Sequence, residues 1–420
     1  MKKFFLFLMI CLLLFAGITY WSLSVGPSEI RISEVSDPRV TTEDDFRNLK
    51  LINVTPTNQY GASGIKRFMQ GENYRRVWER PVSAEIFFLD SFTIVKEGGG
   101  NQTRSLKIKN KDSILYSLRS INKDPDPLIP ALARLLKLEN VIVDGVSAQH
   151  PFGALLAASL AETAEILHTH PRIVYVPGHT SLGKYATNYA NRLYLLEYET
   201  EGEVNWTSFP NVIEIVETDD LLEMKAEMGD KLHIDIRKLV RARLFDLLIG
   251  DWDRHAKQWG WVLQEQEDKV RAIPLPADRD NAFFRIDGVL PTMITNKLVQ
   301  PMVRPFEKDI DHLPGYTFYP FDYYFLNNVP EHIFTEEAEN LQKLITDEEI
   351  EKAIQKWPGQ AAALNGKEIA EKLRHRRDKL TEYAKDFRSE IQKNKSSGKP
   401  LKGTEDLDLP PSLQKCFECN

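Results

Sequence analysis

"LLIGDWDRHAKQWGW", residues Leu247 to Trp261, packs two acids, an arginine, a histidine and a glutamine between an apolar run and a pair of tryptophans. Just upstream, in "HIDIRKLVRARLFDLLIG", Ile236, Leu239, Val240, Leu244, Leu247 and Leu248 recur on one face of a helix. Gly250 suits the C′ position that ends it. Downstream, "GWVLQEQEDKVRAIPLP" predicts a hairpin, two β-prone runs around a polar turn. The charged stretch is thus a loop between a helix and a hairpin. Such a loop serves a metal-bound hydrolase centre, a phosphoryl-transfer site or a surface turn.

Working outward, the hairpin ends in a second acidic loop, "PLPADRDNAFF" (Pro274 to Phe284). Toward the N-terminus, β-prone runs between Val82 and Ile121 predict a small antiparallel sheet: "AEIFFL", "FTIV", "RSLKIKN" and "ILYSLRSI". "PFGALLAASLAETAEIL" predicts a helix, and "RIVYV" and "RLYLLEYE" two more strands. After the hairpin the chain reads as mostly helical to about residue 393, with Thr346 and Glu349 in capping-box spacing. Sheet, helix, strands, helix, acidic loop, hairpin and second acidic loop follow the order of a two-lobed, protein-kinase-like α+β fold. The division expected is a segment 1–25, a linker 26–55, an N-lobe of sheet plus helix 56–199, a helical C-lobe 200–393 carrying both loops, and a loose tail 394–420.

Phosphoryl transfer asks a protein mainly to position phosphates and neutralise charge, so few side chains suffice. The base of a kinase loop is followed five positions on by a metal-binding amide. Asp253 has Gln258 at that offset and Asp251 has Ala256, so Asp253 is the candidate base and Gln258 a candidate metal ligand. Asp251 is then free to cap the loop, while Arg254 and His255 hold it or approach a phosphate. In the second loop Asp278 and Asp280 both qualify as metal ligands. An oxygen set of this kind suits Mg²⁺ or Mn²⁺. Gly98, Gly99 and Gly100 can let backbone N–H groups approach phosphates, with Gln102 and Thr103 beside them. The strand cation is Arg119 or Lys123, its carboxylate partner Glu162 or Glu165 on the helix. Glu197 in "LLEYET" stands where a hinge meets an adenine edge. The cofactor expected is Mg or Mn with ATP or another nucleotide. "SAQHPFG" places Ser147 and His150 three apart without a nucleophile elbow, which favours a helix cap or a substrate-side loop.

The chain has 420 residues, 42% hydrophobic and 27% charged, enough for a large core. Its formal net charge of -7 supplies no basic field for nucleic acid, which is excluded as a partner. Lys2 and Lys3 precede an uncharged run from Phe4 to Val25. That run predicts a signal peptide or an N-terminal membrane anchor, with the body exported to the periplasm. Cys416 and Cys419 form a lone C-x-x-C that lacks two further zinc ligands, so a local disulfide or idle thiols are expected.

"GDWDRHAKQW" with the later "DRD" resembles the catalytic and metal loops of the atypical kinases: HipA-like, spore-coat CotH, phosphatidylinositol and secretory-pathway kinases. "GASGIKRFMQGENYRRVWERPV", "GGGNQTRSL", "SAQHPFGALLAA", "GDWDRH" and "DRDNAFF" look like a family of exported bacterial envelope proteins, from about residue 53 to the tail. In some members this module follows a metallophosphoesterase domain. The first resemblance implies phosphoryl or nucleotidyl transfer to an envelope protein, lipid or glycan; the second implies export and brings no activity with it. Two alternatives stand beside that reading. One is a non-catalytic kinase-like module binding a ligand or partner. The other is a metallophosphoesterase, against which the spacing G-D-x-D-R is one residue short and the D-x-H and G-N-H partners are missing.

Overall fold

A computed structural model describes residues 1–23, 33–40, 43–99, 103–124, 129, 131–136, 138–393 and 400–418. It is a mixed α+β structure with two sheets. The larger is built from β1 (Glu34–Val35), β2 (Leu51–Thr55), β3 (Val82–Ile86), β4 (Phe92–Gly98), β5 (Ser105–Asn110), β6 (Leu115–Ser120), β7 (Arg172–Val176) and β8 (Arg192–Tyr198). Their order is β1-β2-β3-β7-β8-β6-β5-β4. In β8 the period-2 alternation of strands sends Tyr194 and Leu196 into one apolar cluster and Leu193 and Leu195 into the other. Both faces of the sheet are therefore covered at its centre, and β8 reads as a near-continuous buried run.

This sheet corrects the expectation of a small antiparallel one. It has eight strands, and β3 pairs with β7 in parallel. A parallel pair needs a long crossover, and here the crossover holds β4, β5, β6 and the helix Gly153–Thr163. Two strands at one end of the sheet, β1 and β2, come from the segment expected to be a linker. Its average polarity hides the alternation of β2, where Ile52 and Val54 are buried.

The second sheet comprises β9 (Val212–Glu217), β10 (Leu232–Ile234), β11 (Trp259–Gln266) and β12 (Lys269–Pro276), in the order β10-β12-β11-β9. β11 and β12 form the predicted hairpin, in register from Trp259↔Pro276 to Gln266↔Lys269. The helix before it spans Ile236–Ile249, and the Asp235 side chain accepts its Lys238 N–H at 3.2 Å. Gly250 ends that helix in the left-handed region, φ 74°, where a Cβ would meet the Phe306 ring at 2.8 Å. Helices Glu331–Leu344, Lys367–Asp378 and Leu380–Lys393 pack against this helix. Of the tail, Leu401, Leu409, Leu413 and Phe417 are buried in the same core, so residues 400–418 are not loose. At the other end, the apolar helix Lys2–Leu23 is exposed for almost its whole length and is long enough to cross a bilayer.

Candidate active site

Between the larger sheet and the two acidic loops lies a cleft of about 920 Å³. The sheet side contributes Thr103, Arg119, Lys123 and Glu197. The loops contribute Asp253, His255, Gln258, Asp278 and Asp280, so the structure gathers these predicted residues at one place.

What holds the loops is a charge cluster behind them. Asp246, one turn before the helix ends, is fully buried. Its Oδ2 accepts from Arg243 Nη1 at 2.8 Å and lies 3.1 Å from Arg254 Nε. Its Oδ1 accepts from Arg279 Nη2 at 3.1 Å and Nε at 3.2 Å. The arginines of both D-R motifs thus meet on one carboxylate. Burial alone would raise the affinity of Asp246 for a proton, but Arg254, Arg279 and Arg243 hold it below the ordinary range. Arg254 also donates to the Ala277 carbonyl at 2.7 Å, strapping the first loop to the end of β12. Arg254 is therefore a buried tie that holds the loop, one of the two roles expected of it, and not a catalytic group facing the cleft. Asp251 caps the loop, its Oδ1 accepting the Asp253 N–H at 3.3 Å.

In front of that cluster the charges face the cleft. Arg119 spans three carboxylates: Glu197 at 3.1 Å, Asp278 at 2.7 Å and Asp280 at 3.0 Å. Lys123 pairs with Asp280 and donates to Thr103 Oγ1 at 2.8 Å. Burial works against the charge on Asp280, yet Arg119 and Lys123 keep its carboxyl far below the usual carboxylate range. Asp253 is the opposite case: burial, then the nearby Asp278 charge, raise its proton affinity, and the Tyr319 hydroxyl offsets part of this. The Asp253 carboxylate accepts from Gln258 Nε2 at 3.5 Å and Asn281 Nδ2 at 3.4 Å.

Other predicted residues sit differently. Glu197 is buried in the cleft wall, accepts from Thr169 at 2.7 Å and anchors Arg119, so its side chain backs the strand cation. Glu165 pairs with Arg241 at 2.9 Å, and Glu162 is exposed; the helix does not supply the partner of Arg119. Gly98 ends β4, and at Gly99, φ 85°, a Cβ would lie 1.8 Å from the Thr103 carbonyl oxygen. Gly100 and Gln102 lie outside the described residues. The His255 ring stands edge-on to Tyr319, with Nε2 3.0 Å from Lys402 Nζ. Burial, Lys402 and Arg254 push its pKa down to about 3, so it is neutral. Ser147 accepts from Asn73 at 3.0 Å, and His150 Nδ1 accepts the Phe152 N–H at 3.1 Å; each is engaged in shaping the helix entry. Cys416 is disulfide-bonded; Cys419 lies outside the described residues.

Sequence reasoning missed Asn281, Gln149 and Tyr319. Gln149 donates to Asn281 at 2.9 Å, which orients that amide toward Asp253. The signal for Asn281 was its place next to Asp280. Nothing local points to Tyr319, which comes from a segment 66 positions after Asp253.

Among the described residues no three His, Cys, Asp or Glu side chains are gathered into a metal cage. Asp253 Oδ1 and Gln258 Oε1 are nevertheless buried acceptors without a hydrogen-bond partner. Orphan oxygens of this kind on residues that line the cleft fit a hard cation. Mg²⁺ in particular takes one or two protein oxygens and completes its shell with water and phosphate.

No protein-family model and no curated protein matches the chain. Among solved structures it is similar to the Helicobacter pylori proinflammatory kinase CtkA, at 13% identity and TM-score 0.32, over 68% of this chain and 94% of that one. It is also similar to a chain of the Shewanella oneidensis MR-1 toxin–antitoxin system HipA, HipB and its operator DNA, at 11% identity and TM-score 0.32, over 72% of this chain and 70% of that one. With so remote a likeness, the chemistry has to stand on the side chains of the cleft.

Proposed function

We propose that the chain is a two-lobed, kinase-like phosphotransferase of the bacterial envelope, dependent on Mg²⁺ or Mn²⁺ and a nucleotide. The observation that carries this reading is the division of the cleft. Two cations, Arg119 on β6 and Lys123 just after it, stand on one wall, and Asp253 with its orphan-oxygen neighbour Gln258 stands on the other. Cations on the sheet offer themselves to phosphate oxygens once a nucleotide competes with Asp278 and Asp280 for them. Asp253, held in place by the Asp251 cap and the Asn281 amide, has the raised proton affinity that suits a general base.

In the proposed step an acceptor hydroxyl oxygen bonds to the γ-phosphorus of a nucleoside triphosphate. The bond from that phosphorus to the bridging oxygen breaks, its electron pair leaving with the nucleoside diphosphate, and the hydroxyl proton passes to the Asp253 carboxylate. Gln258 and Asp278 would hold the cation, which supplies charge neutralisation on the phosphates, leaving Asp253 to take the proton. Asp278 is chosen over Asp280 because its side chain is 38% exposed and has one cationic partner, while Asp280 is enclosed by two. The helix Lys2–Leu23 serves in this reading as the export signal or anchor, with the cleft on the periplasmic side.

A second reading has one observation in its favour: both acids of the second loop already carry ion pairs. A cleft closed in this way suits a non-catalytic module that binds an anionic ligand. Thermal unfolding of the purified full chain tests the proposal. Stabilisation by nucleotide that requires Mg²⁺ or Mn²⁺ is expected. Stabilisation by anions alone, indifferent to the cation, would replace the phosphotransferase with the binding module.

A further inference from the structure

Most of the strongly exposed large apolar side chains outside the N-terminal helix belong to three neighbouring segments: Phe68, Leu135 and Leu136, and Met293 to Val299. Leu298 is 91% exposed and Leu135 78%. These segments surround the point where the apolar helix meets the body. Gln70 Nε2 donates to Ser22 O at 3.2 Å, Tyr20 donates to Leu136 O at 2.9 Å, and Asn140 Nδ2 reaches Leu23 O at 3.5 Å. The helix Val289–Ile294 packs in turn on Gly64–Gln70. A soluble surface rarely keeps such a patch without a use, and here it is continuous with a helix of membrane-spanning length. The outer side of this collar is therefore suited to acyl chains at the bilayer boundary.

The chain that continues from two of these segments lines the cleft. Ile142 and Gly145, in the helix that follows Leu136, line it on one side, and Thr295 with Gln300, Met302 and Val303 lines it on another. Arg304 ties that second wall by donating to the Thr295 and Gln300 carbonyls, each at 3.0 Å.

We propose that Phe68, Leu135, Met293, Ile294, Leu298 and Val299 form a bilayer-docking face that sets the rim of the cleft at headgroup level, so that the acceptor is a lipid headgroup hydroxyl. The docking face stands on exposure and contact alone; the acceptor class rests on the phosphotransferase reading. In the transfer the headgroup oxygen gains the phosphorus, its proton goes to Asp253, and nucleoside diphosphate leaves.

The test uses the full chain in nanodiscs, with Cys11→Ser removing the free thiol. A bimane fluorophore is placed on Leu298→Cys or, as a control on an exposed strand, on Ile213→Cys. Lipids carrying a doxyl group in the acyl chain should quench position 298 at least about twofold more than position 213. Equal quenching at the two positions overturns the docking face. The second arm supplies γ-labelled nucleoside triphosphate and extracts the lipids. Label in the lipid fraction, reduced by Leu298→Asp with Val299→Asp, supports the acceptor class. Label in protein only overturns the acceptor class and leaves the docking face standing. Absence of all transfer with strong quenching removes the phosphotransferase reading, and the lipid acceptor with it, and again leaves the docking face.

Discussion

Two clusters of aspartate and arginine lie on either side of the same loops, and they behave in opposite ways. Behind the loops, Asp246 binds Arg243, Arg254 and Arg279 with no exposure to solvent, and Arg243 closes the cluster on Asp322 at 2.6 Å. In front, Arg119 and Lys123 hold Asp278 and Asp280 on a wall open to the cleft, next to buried acceptors that lack donors. The rear cluster is buried and fixes geometry, with Arg279 Nη1 left without a hydrogen-bond partner. The front cluster is as strong in charge and lines the cleft. A pair of D-R motifs therefore does two jobs at once: the arginines turn inward to hold, and the acids turn outward to the cleft.

Substitutions on the two sides should separate these jobs. The largest effect falls at the rear. Asp246→Ala leaves three buried guanidinium groups without their common partner, and such broken buried pairs cost about 3–5 kcal/mol. The urea midpoint should fall accordingly, or the chain should fail to accumulate in soluble form. A variant as stable as the parent would remove the rear cluster from its structural role.

At the front, Arg119→Lys keeps one charge but cannot reach three carboxylates with one ammonium group. A loss of about 1–3 kcal/mol is expected, because Glu197 stays buried with fewer hydrogen bonds. The nucleotide-dependent shift of the melting temperature should fall along with it. Asp253→Asn should leave the melting temperature unchanged or slightly higher, because it removes a buried carboxylate whose charged form is disfavoured. A clear loss of stability would move Asp253 from the reactive cluster to the structural one.

A further set of effects is spread over several sites and is read by pH. His150, His168 and His255 are each pushed down to about 3 by burial. The unfolded chain binds those protons near pH 6.5 while the folded chain refuses them, so stability should fall as pH drops from about 6.5 toward 3. Asp280 acts in a lower window: its depressed proton affinity stabilises the fold above the ordinary carboxylate range, and that contribution is lost as pH falls below it. Denaturant titrations from pH 7 to pH 4 should show the histidine part, and His255→Phe should flatten the slope. If stability does not change over that range, the buried neutral histidines are not in place.

The sequence carried the local half of this picture. The helix Ile236–Ile249, its Gly250 end and the hairpin each announce themselves within a dozen residues, by a 3.6 period, a left-handed glycine and a period of 2. The five-residue offset then placed Asp253 and Gln258 in one loop, and the structure puts them 3.5 Å apart. What stayed hidden depends on distance along the chain. Nothing near Arg254 or Arg279 in the sequence shows that both turn back onto Asp246. The Glu197 partner of Arg119 comes from a strand neighbour 78 positions away, not from the helix where a carboxylate was sought. The strands β1 and β2, at one end of the sheet, were lost in a segment that is polar on average.

In the proposed phosphotransferase the front cluster transfers a phosphoryl group and Asp253 takes the acceptor proton. The most direct test is transfer of label from a γ-labelled nucleoside triphosphate by the full chain in lipid nanodiscs with Mg²⁺ or Mn²⁺, compared with Asp253→Asn at equal folding. The account predicts transfer by the parent, falling about 10²- to 10⁴-fold in the variant, as for loss of a general base. Transfer that persists undiminished in Asp253→Asn, or nucleotide binding with no transfer by either protein, would contradict it.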